Sequence, residues 1–289
     1  MTVHLRPLDG PFGVEILGVD TAGRVDADDA RAVEDALNKH SLVLLRDQHP
    51  SEEQHVAFSR AIGELEIHWL KQYLRPQHPE ILVVSNVVEN GVNIGLVDAG
   101  RYWHSDFSYQ SLPTRGALLH AREVPVREGV VRGDTLFTNV VKAYDALSEE
   151  VKKRLPGMKA VFNLKRRHER LLRDGAQMQG VSSKEVANSD DVVRDVVQRH
   201  PITQKPLLYV NEAHTAKLFG PDGHEDEELL AMLVGHVQQA EFVYRHRWRV
   251  GDIIIWDNYA TQHLAINDYE LPERRVMYRT TLKGIQFPA

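Results

Sequence analysis

Apolar positions in the first third of the chain alternate between the two-residue period of a strand and the 3.6-residue period of an amphipathic helix. One helix is predicted from Asp26 to His40, because acidic residues occupy its first turn and basic residues its last. A second helix is predicted to begin at Ser51 and end at Gly63, with Gln54 completing a capping box. Strands are predicted before the first helix, between the two helices and after the second, at 12–20, 41–48 and 81–87.

Beyond residue 110 the pattern becomes mainly that of short strands. Helices are predicted only at 140–155 and 226–240. Many short strands spread along one chain favour a sandwich or barrel over a parallel doubly wound sheet. The predicted strands lie at 114–123, 133–139, 158–164, 205–212, 240–248, 251–258 and 274–284.

Residues 165–200 interrupt this β pattern with a charge-dense segment of weak periodicity. An insertion of this length between strands is commonly a lid over a site, and a solvated helical excursion without function is an equal alternative. No internal repeat or low-complexity linker divides the sequence. We therefore expect one domain, residues 1–289, with a lid insertion at 165–200 as one possibility.

Composition narrows the class of protein. The 289 residues are 42% hydrophobic and contain no cysteine, so a buried core is expected and disulfides and thiolate metal sites are excluded. No apolar run reaches 18 residues, which argues against a membrane span, and no signal peptide is apparent. We expect a cytoplasmic protein. The net charge of −6 gives no reason to expect nucleic-acid binding.

The first candidate metal ligands lie in the motif "WHSD". If this stretch is a strand, His104 and Asp106 point to the same face and can share an ion. A third ligand is offered by His263, which follows the apolar run "GDIIIWDN" and a turn. Two histidines and one carboxylate form the facial triad of non-haem Fe(II) oxygenases, with open positions for other ligands. The three residues alone do not separate iron from zinc or manganese.

Arginines near the C-terminus indicate that the same site also binds an anion. Strand alternation in "ERRVMYR" places Arg275, Met277 and Arg279 on one face and Arg274 and Tyr278 on the other. An inward arginine beside a metal needs an anionic partner, because an unpaired buried charge is costly. A dicarboxylic co-substrate, bound to the metal at one end and to Arg275 at the other, would satisfy both groups.

The segments "WHSD", "GDTLF", "WRVGDIIIWDN", "TQH" and "ERRVMYRTTLKG" together resemble the taurine dioxygenase/dichlorophenoxyacetate dioxygenase family of Fe(II)- and 2-oxoglutarate-dependent oxygenases. The resemblance spans nearly the whole chain. It implies a mainly β fold with flanking helices, a double-stranded β-helix (jelly roll, cupin-like). It also implies Fe(II), 2-oxoglutarate as co-substrate, dioxygen, release of succinate and CO2, and a homo-oligomer, either dimer or tetramer.

The same resemblance assigns residues to roles. His104, Asp106 and His263 match the iron ligands. Thr135 matches the residue that hydrogen-bonds the oxoglutarate carboxylate near the metal, and Arg275 the one that binds its distal carboxylate. The residues that match the substrate pocket are Arg279 and His68.

The implied substrate is a small molecule with an acidic group. Sulfonates, aryloxyalkanoates, alkyl sulfates and N-substituted amino acids are all compatible with an arginine in the pocket. Taurine itself is disfavoured, because "WLKQY" follows His68 and Gly100 stands where the taurine-specific members carry an asparagine. Two alternatives remain from the residues: an oxoglutarate-independent metal hydrolase or lyase on a cupin-like barrel, and a non-enzymatic small-molecule-binding barrel.

Overall fold

The structure is a computed structural model that describes residues 3–23, 25–97, 100–176 and 179–288. Those residues form a mostly β protein with seven α-helices. The helices are α1 (Ala27–His40), α2 (Glu52–Ile62), α3 (Val140–Asp145), α4 (Glu149–Arg154), α5 (Leu164–Arg173), α6 (Ser183–Ala187) and α7 (Glu227–Val237). The described residues also form twenty strands. They are β1 (His4–Pro7), β2 (Val14–Leu17), β3 (Leu42–Leu45), β4 (Leu65–Glu66), β5 (Leu82–Ser85), β6 (Val88–Glu89), β7 (Val92–Asn93), β8 (Gly116–Glu123), β9 (Val126–Arg127), β10 (Val130–Val131), β11 (Thr135–Asn139), β12 (Lys159–Phe162), β13 (Val192–Asp195), β14 (Val197–Arg199), β15 (Pro206–Leu208), β16 (Thr215–Phe219), β17 (Val243–His246), β18 (Ile253–Asp257), β19 (Thr261–Ala265) and β20 (Val276–Leu282).

An eight-stranded sheet forms the main layer. Its strand order is β1-β2-β3-β18-β8-β20-β4, and β5 also pairs with β20. All pairs in this sheet are antiparallel except β2 with β3. The long central strands β8 and β20 are therefore hydrogen-bonded to neighbours on both sides, which fixes the inward or outward direction of every side chain along them.

The two faces of this sheet pack against different layers. On β8, Ala117, Leu119 and Ala121 point inward and share a core cluster with Phe137 of β11. Leu118 points outward and packs in a second cluster with residues of α1 and α2. Alternate residues of one strand thus bury themselves on opposite faces, as the continuous apolar runs of the sequence indicate.

A smaller sheet, β17-β11-β19, lies against the inner face of the main sheet, with Phe137 buried between them. In its register Thr135 pairs with His246 and Ala265, and Phe137 pairs with His263. Two of the residues singled out in the sequence, Thr135 and His263, therefore stand on neighbouring strands of one small sheet.

The predicted capping signals are confirmed. Asp26 accepts a hydrogen bond at the start of α1, and Ser51 and Gln54 form the reciprocal capping box of α2. The single helix predicted at 140–155 is wrong. The chain forms α3 and α4 instead, because Ser148 breaks the run by accepting a hydrogen bond from the backbone N–H of Val151 and so begins a new helix.

The charge-dense segment 165–200 contains regular structure. It holds most of α5, all of α6, and the strands β13 and β14. β13 joins β12 and β16 in a three-stranded sheet, which gives the segment backbone hydrogen bonds to the rest of the protein. Residues 177 and 178 of the segment lie outside the described residues. Within the described part of the chain, no helix combines the length and apolar character needed to cross a bilayer.

Candidate metal centre

His104 and His263 are 159 residues apart in the sequence but adjacent in space. The backbone N–H of His104 donates to the carbonyl of His263 at 3.2 Å, and the N–H of His263 donates to the carbonyl of His104 at 2.9 Å. This isolated antiparallel bridge extends the small sheet by one residue pair. It brings the two imidazole rings to a centroid distance of 4.1 Å.

Asp106 reaches the same place by a different backbone path from the one predicted. The sequence predicted a strand through His104 and Asp106, but only His104 makes a strand-like bridge and Asp106 lies in a turn. The turn is held by Asn258, whose Oδ1 accepts from the backbone N–H of Asp106 at 2.7 Å and whose Nδ2 donates to its carbonyl at 2.8 Å. Phe107, with a φ of 53°, completes the bend.

The three predicted ligands converge. His104, Asp106 and His263 each offer one ligand atom, and these atoms all lie within 4.8 Å of one another. His104 Nδ1 lies 2.9 Å from the carbonyl of Tyr102, which can only accept a hydrogen bond, so Nδ1 carries the proton and Nε2 keeps its lone pair. That Nε2 lies 3.6 Å from Oδ1 of Asp106. Two imidazole nitrogens and a carboxylate oxygen are a donor set suited to Fe(II).

Arg279 lies directly behind the carboxylate of this triad. Its Nη2 is 2.8 Å from Asp106 Oδ2. The N–H bonds do not point at that oxygen, so the contact is an ion pair and not a hydrogen bond. Burial raises the pKa of Asp106, but the positive charge of Arg279 and the neighbouring His263 and His104 outweigh it and hold that pKa well below its ordinary value. Asp106 is therefore ionised and ready to bind a cation.

Arg275 occupies a second buried position on the same side of β20. Only 3% of the residue is exposed. Its guanidinium lies 5.9 Å from the ring centres of both Trp248 and Tyr269, and its backbone N–H donates to Asn86. Within the described residues it has no carboxylate partner, and its Nε makes no hydrogen bond. A buried guanidinium in this state fits one carboxylate of a bound dianion.

Thr135 contacts the same indole ring at its nitrogen. Its buried Oγ1 accepts a hydrogen bond from Nε1 of Trp248 at 3.0 Å, which leaves the hydroxyl proton free to donate to an anion. Trp248 therefore contacts both Thr135 and Arg275, although no role was predicted for it from the sequence. Residues that could hold the two ends of 2-oxoglutarate are thus brought together through one buried tryptophan.

His68 also reaches the metal centre. It lines one small cavity together with His104, Asp106 and Arg279. Its Nδ1 accepts from the backbone N–H of Leu70 at 3.1 Å, so the proton of the neutral ring is on Nε2. Burial, followed by the positive charge of Arg279, lowers the pKa of His68 to about 4, which keeps the ring neutral at physiological pH.

Further residues that line this cavity were not assigned to it from the sequence, among them Tyr109, Arg167 and His214. The ring centre of His214 lies 6.2 Å from that of His104 and 4.8 Å from that of Tyr109. His214 stands in the stretch "NEAHTAK", where no motif or periodic pattern distinguishes it from an ordinary histidine.

Comparison with known proteins agrees with this geometry. The model of the family described as "Taurine catabolism dioxygenase TauD, TfdA family" matches residues 4–281. Pentalenolactone F synthase of Streptomyces arenae is 30% identical over 283 residues, which cover 95% of this chain and 93% of that protein. The alpha-ketoglutarate-dependent 2,4-dichlorophenoxyacetate dioxygenase of Cupriavidus pinatubonensis is 31% identical over 293 residues, covering 97% of this chain and 98% of that protein.

A solved structure extends the comparison to three dimensions. The crystal structure of AAD-2 in complex with Mn(II) and N-oxalylglycine superimposes with a TM-score of 0.77 at 28% identity, covering 100% of both chains. Sequence and structural similarity both extend over essentially the full length. The chain therefore belongs to the TauD/TfdA family and is a non-haem Fe(II)- and 2-oxoglutarate-dependent dioxygenase.

Proposed function

We propose that this dioxygenase oxidises a small organic acid, with Fe(II) held by His104, Asp106 and His263. The observation that carries the assignment is Arg275, a buried guanidinium without a carboxylate partner among the described residues. A metal hydrolase or lyase has no need of such a group, and a non-enzymatic binding barrel would show no oxoglutarate-dependent turnover. A dioxygenase that binds a dicarboxylic co-substrate requires such a group.

The metal ligands are prepared for Fe(II) by their own neighbours. The carbonyl of Tyr102 fixes the tautomer of His104, Asn258 fixes the turn of Asp106, and Arg279 keeps the Asp106 carboxylate ionised. When bound, Fe(II) with 2-oxoglutarate and dioxygen supplies the oxidising chemistry of the family. The role of the ligand residues is to hold one face of the ion and leave the other open.

Thr135 and Arg275 form the proposed site for 2-oxoglutarate. The Thr135 hydroxyl proton is free to donate to the carboxylate nearer the metal, and the Arg275 guanidinium pairs with the distal carboxylate. Trp248 supports both by its hydrogen bond to Thr135 and by its ring beside Arg275. The indole therefore excludes water from the co-substrate and fixes the spacing between its two anchoring groups.

Arg279 and His68 are the proposed substrate-facing residues beside the metal. His68 offers an Nε2–H donor, and Arg279 contributes positive charge behind Asp106. The cavity that they share measures about 80 Å³, so a small substrate, or an outward shift of the lining side chains, is required. We propose an aryloxyalkanoate, alkyl sulfate, sulfonate or N-substituted amino acid, of which the first class resembles the substrate named for the Cupriavidus relative.

The wider architecture fits this function. We propose that the main sheet and the sheet β17-β11-β19 are the two halves of a double-stranded β-helix, with the metal at its open end. The chain would then form one domain over residues 1–289, with the segment 165–200 covering the site through α5. A cytoplasmic homo-oligomer, dimer or tetramer, is the assembly that we propose.

One experiment tests the proposed function directly. Anaerobic addition of Fe(II) and 2-oxoglutarate should produce the weak visible charge-transfer band of the chelate. Exposure to air with a panel of the four acid classes should then reveal at least one acid that stimulates succinate release. Absence of both the band and stimulated succinate release would refute the proposal.

A further inference from the structure

A second pair of a histidine and a carboxylate is buried outside the cavity that the candidate metal ligands line. His200 and Asp257 are each 1% exposed, and Nε2 of His200 lies 2.8 Å from Oδ2 of Asp257. Neither residue is among the described residues that line the cavity. Because burial of a polar group is costly unless the group is hydrogen-bonded, the bonds of this pair indicate what the pair holds in place.

The hydrogen bonds of His200 fix its tautomer. Its Nδ1 accepts from the backbone N–H groups of Ile202 at 3.1 Å and Thr203 at 3.0 Å, so this nitrogen carries no proton. The ring is therefore neutral, and its single proton is on Nε2, which donates it to Oδ2 of Asp257. His200 thus makes two separate kinds of bond: it accepts within its own loop and donates to Asp257.

Asp257 is the last residue of β18 and begins the turn that leads to β19. Its Oδ1 accepts from the backbone N–H groups of Tyr259 at 3.0 Å and Ala260 at 3.3 Å, and its carbonyl accepts from the hydroxyl of Thr261 at 2.7 Å. One carboxylate oxygen therefore shapes the turn while the other is held by His200. Without that donor, a buried carboxylate oxygen is left unsatisfied, which favours rotation of the group and loosens the turn.

The same turn contacts both segments that carry the candidate metal ligands. Asn258, its second residue, holds Asp106 by the two hydrogen bonds described above. At the far end of the turn, the carbonyl of Thr261 accepts from Oγ of Ser105 at 3.2 Å. Thr261 also begins β19 and precedes His263 by two residues. The position of this turn therefore affects Asp106 and His263 together.

From these contacts we propose that His200 is a positioning residue of the metal centre. Its Nε2–H holds the Asp257 carboxylate, the carboxylate shapes the turn, and the turn sets the positions of Asp106 and His263. The inference rests on the proposed function, because it takes these two residues and His104 as the metal ligands. His200 directly follows β14, which pairs with β15 in a separate two-stranded sheet. Metal binding is thereby coupled to a hairpin outside the two facing sheets.

Two substitutions separate the bonds of His200. His200→Gln places an amide N–H where Nε2 stands and so keeps a donor to Asp257. His200→Asn places an amide oxygen where Nδ1 stands, which keeps the acceptor for Ile202 and Thr203 but loses the donor to Asp257. Calorimetric titration of the metal-free protein with Co(II) measures the affinity. It should fall about tenfold in His200→Asn, the lower end of the effect expected for groups that orient metal ligands, and stay within about threefold of wild type in His200→Gln.

Amide hydrogen exchange followed by mass spectrometry gives a second measurement, which needs no metal. In the metal-free protein, the peptides that contain Asp106 and His263 should exchange faster in His200→Asn than in His200→Gln. His120→Asn is the matched control, since His120 is also 1% exposed but contacts the carbonyl of Gln48 at 3.0 Å. It should change neither the Co(II) affinity nor the exchange of those two peptides.

A role limited to the stability of the hairpin predicts a different result. The proposal is overturned if the two His200 variants bind Co(II) with equal affinity, or if His120→Asn weakens Co(II) binding as much as His200→Asn. It is also overturned if exchange rises only in the peptide around residue 200 and not at Asp106 and His263. Absence of both Co(II) binding and the chelate band in the wild type would refute the proposed function, and this inference with it.

Discussion

His104 and His263, which are 159 residues apart in the sequence, exchange two backbone hydrogen bonds at 3.2 and 2.9 Å. This pairing brings together the two imidazoles of the candidate metal centre. The alignment is achieved by the backbone and not by the side chains. Ligand substitution at either position should therefore remove metal binding without changing how the strands pair.

Arg275→Ala should weaken the binding of 2-oxoglutarate by about 10- to 100-fold, because the distal carboxylate loses its charged hydrogen bonds. The dissociation constant is obtained by anaerobic titration of the chelate band. Arg274→Ala is the control, since Arg274 is exposed and pairs with Glu123 at 2.8 Å on the outer side of the strand. Equal dissociation constants for 2-oxoglutarate in the two variants would exclude Arg275 from the co-substrate site.

Thr135→Val should weaken the binding of 2-oxoglutarate, whereas Thr135→Ser should retain most of the affinity for it. Valine preserves the shape but also leaves the buried Trp248 N–H without its acceptor, at a cost of about 1–3 kcal/mol in the free energy of unfolding. The double variant Thr135→Val with Trp248→Phe, compared with Trp248→Phe alone, separates the two effects, because neither contains the indole N–H. The double variant should match Trp248→Phe in chemical denaturation but bind 2-oxoglutarate more weakly; equal affinities would mean that the hydroxyl serves only Trp248.

Asn258→Ala should weaken metal binding by about 10- to 100-fold, because the turn that presents Asp106 loses its hydrogen bonds on both sides. Titration with Co(II), followed by calorimetry, measures the affinity. Asn188→Ala, at the exposed end of α6, is the control and should have no effect on it. An unchanged Co(II) affinity in Asn258→Ala would show that the Asp106 turn holds without its asparagine.

The protein should lose stability as the pH falls below about 6.5, because His55 and His120 are buried and neutral. Their rings are 5.7 Å apart, and burial, aided by the charge of Arg122, lowers the pKa of His55 to about 3 and that of His120 to about 4. The unfolded chain titrates near 6.5, so it binds more protons than the folded chain between these values. Each ring then lowers the free energy of unfolding by up to about 1.4 kcal/mol per pH unit.

Urea denaturation between pH 7.5 and 5 measures this dependence. His120→Leu should reduce the slope of the free energy of unfolding against pH. His224→Gln, which alters an exposed histidine, should leave the slope as in the wild type. A wild-type slope of zero below pH 6.5 would contradict the assignment of these two histidines as buried and neutral.

The sequence predicted that His104, Asp106 and His263 lie close together, as the structure shows, but it predicted the wrong backbone conformation for Asp106. His104 and Asp106 were expected on one strand because residues i and i+2 share a face. The chain instead turns at Asp106, held by Asn258 from a distant loop. A contact made across 152 residues has no periodic signature, so only the pairing of residue types could be recognised from the sequence.

The rest of the cavity lining was harder to predict for a similar reason. Arg167 lies in a segment whose many charges resemble a solvated surface, and its place at the cavity depends on the docking of α5 through Tyr102 and Asp174. The position of His214 depends on a contact with Ser108, which only the folded structure brings near. Local patterns identify strands and caps; side chains that meet through tertiary contacts are identified only after the chain has folded.

The docking of α5 by its two ends has an evolutionary consequence. Its anchoring residues, Asn163 and Asp174, lie at the two ends of the helix. Residues in the middle of the helix can therefore be exchanged while both anchors, and the two sheets that carry His104 and His263, are inherited intact. In such a lineage the lining of the cavity can change by single substitutions in a peripheral helix.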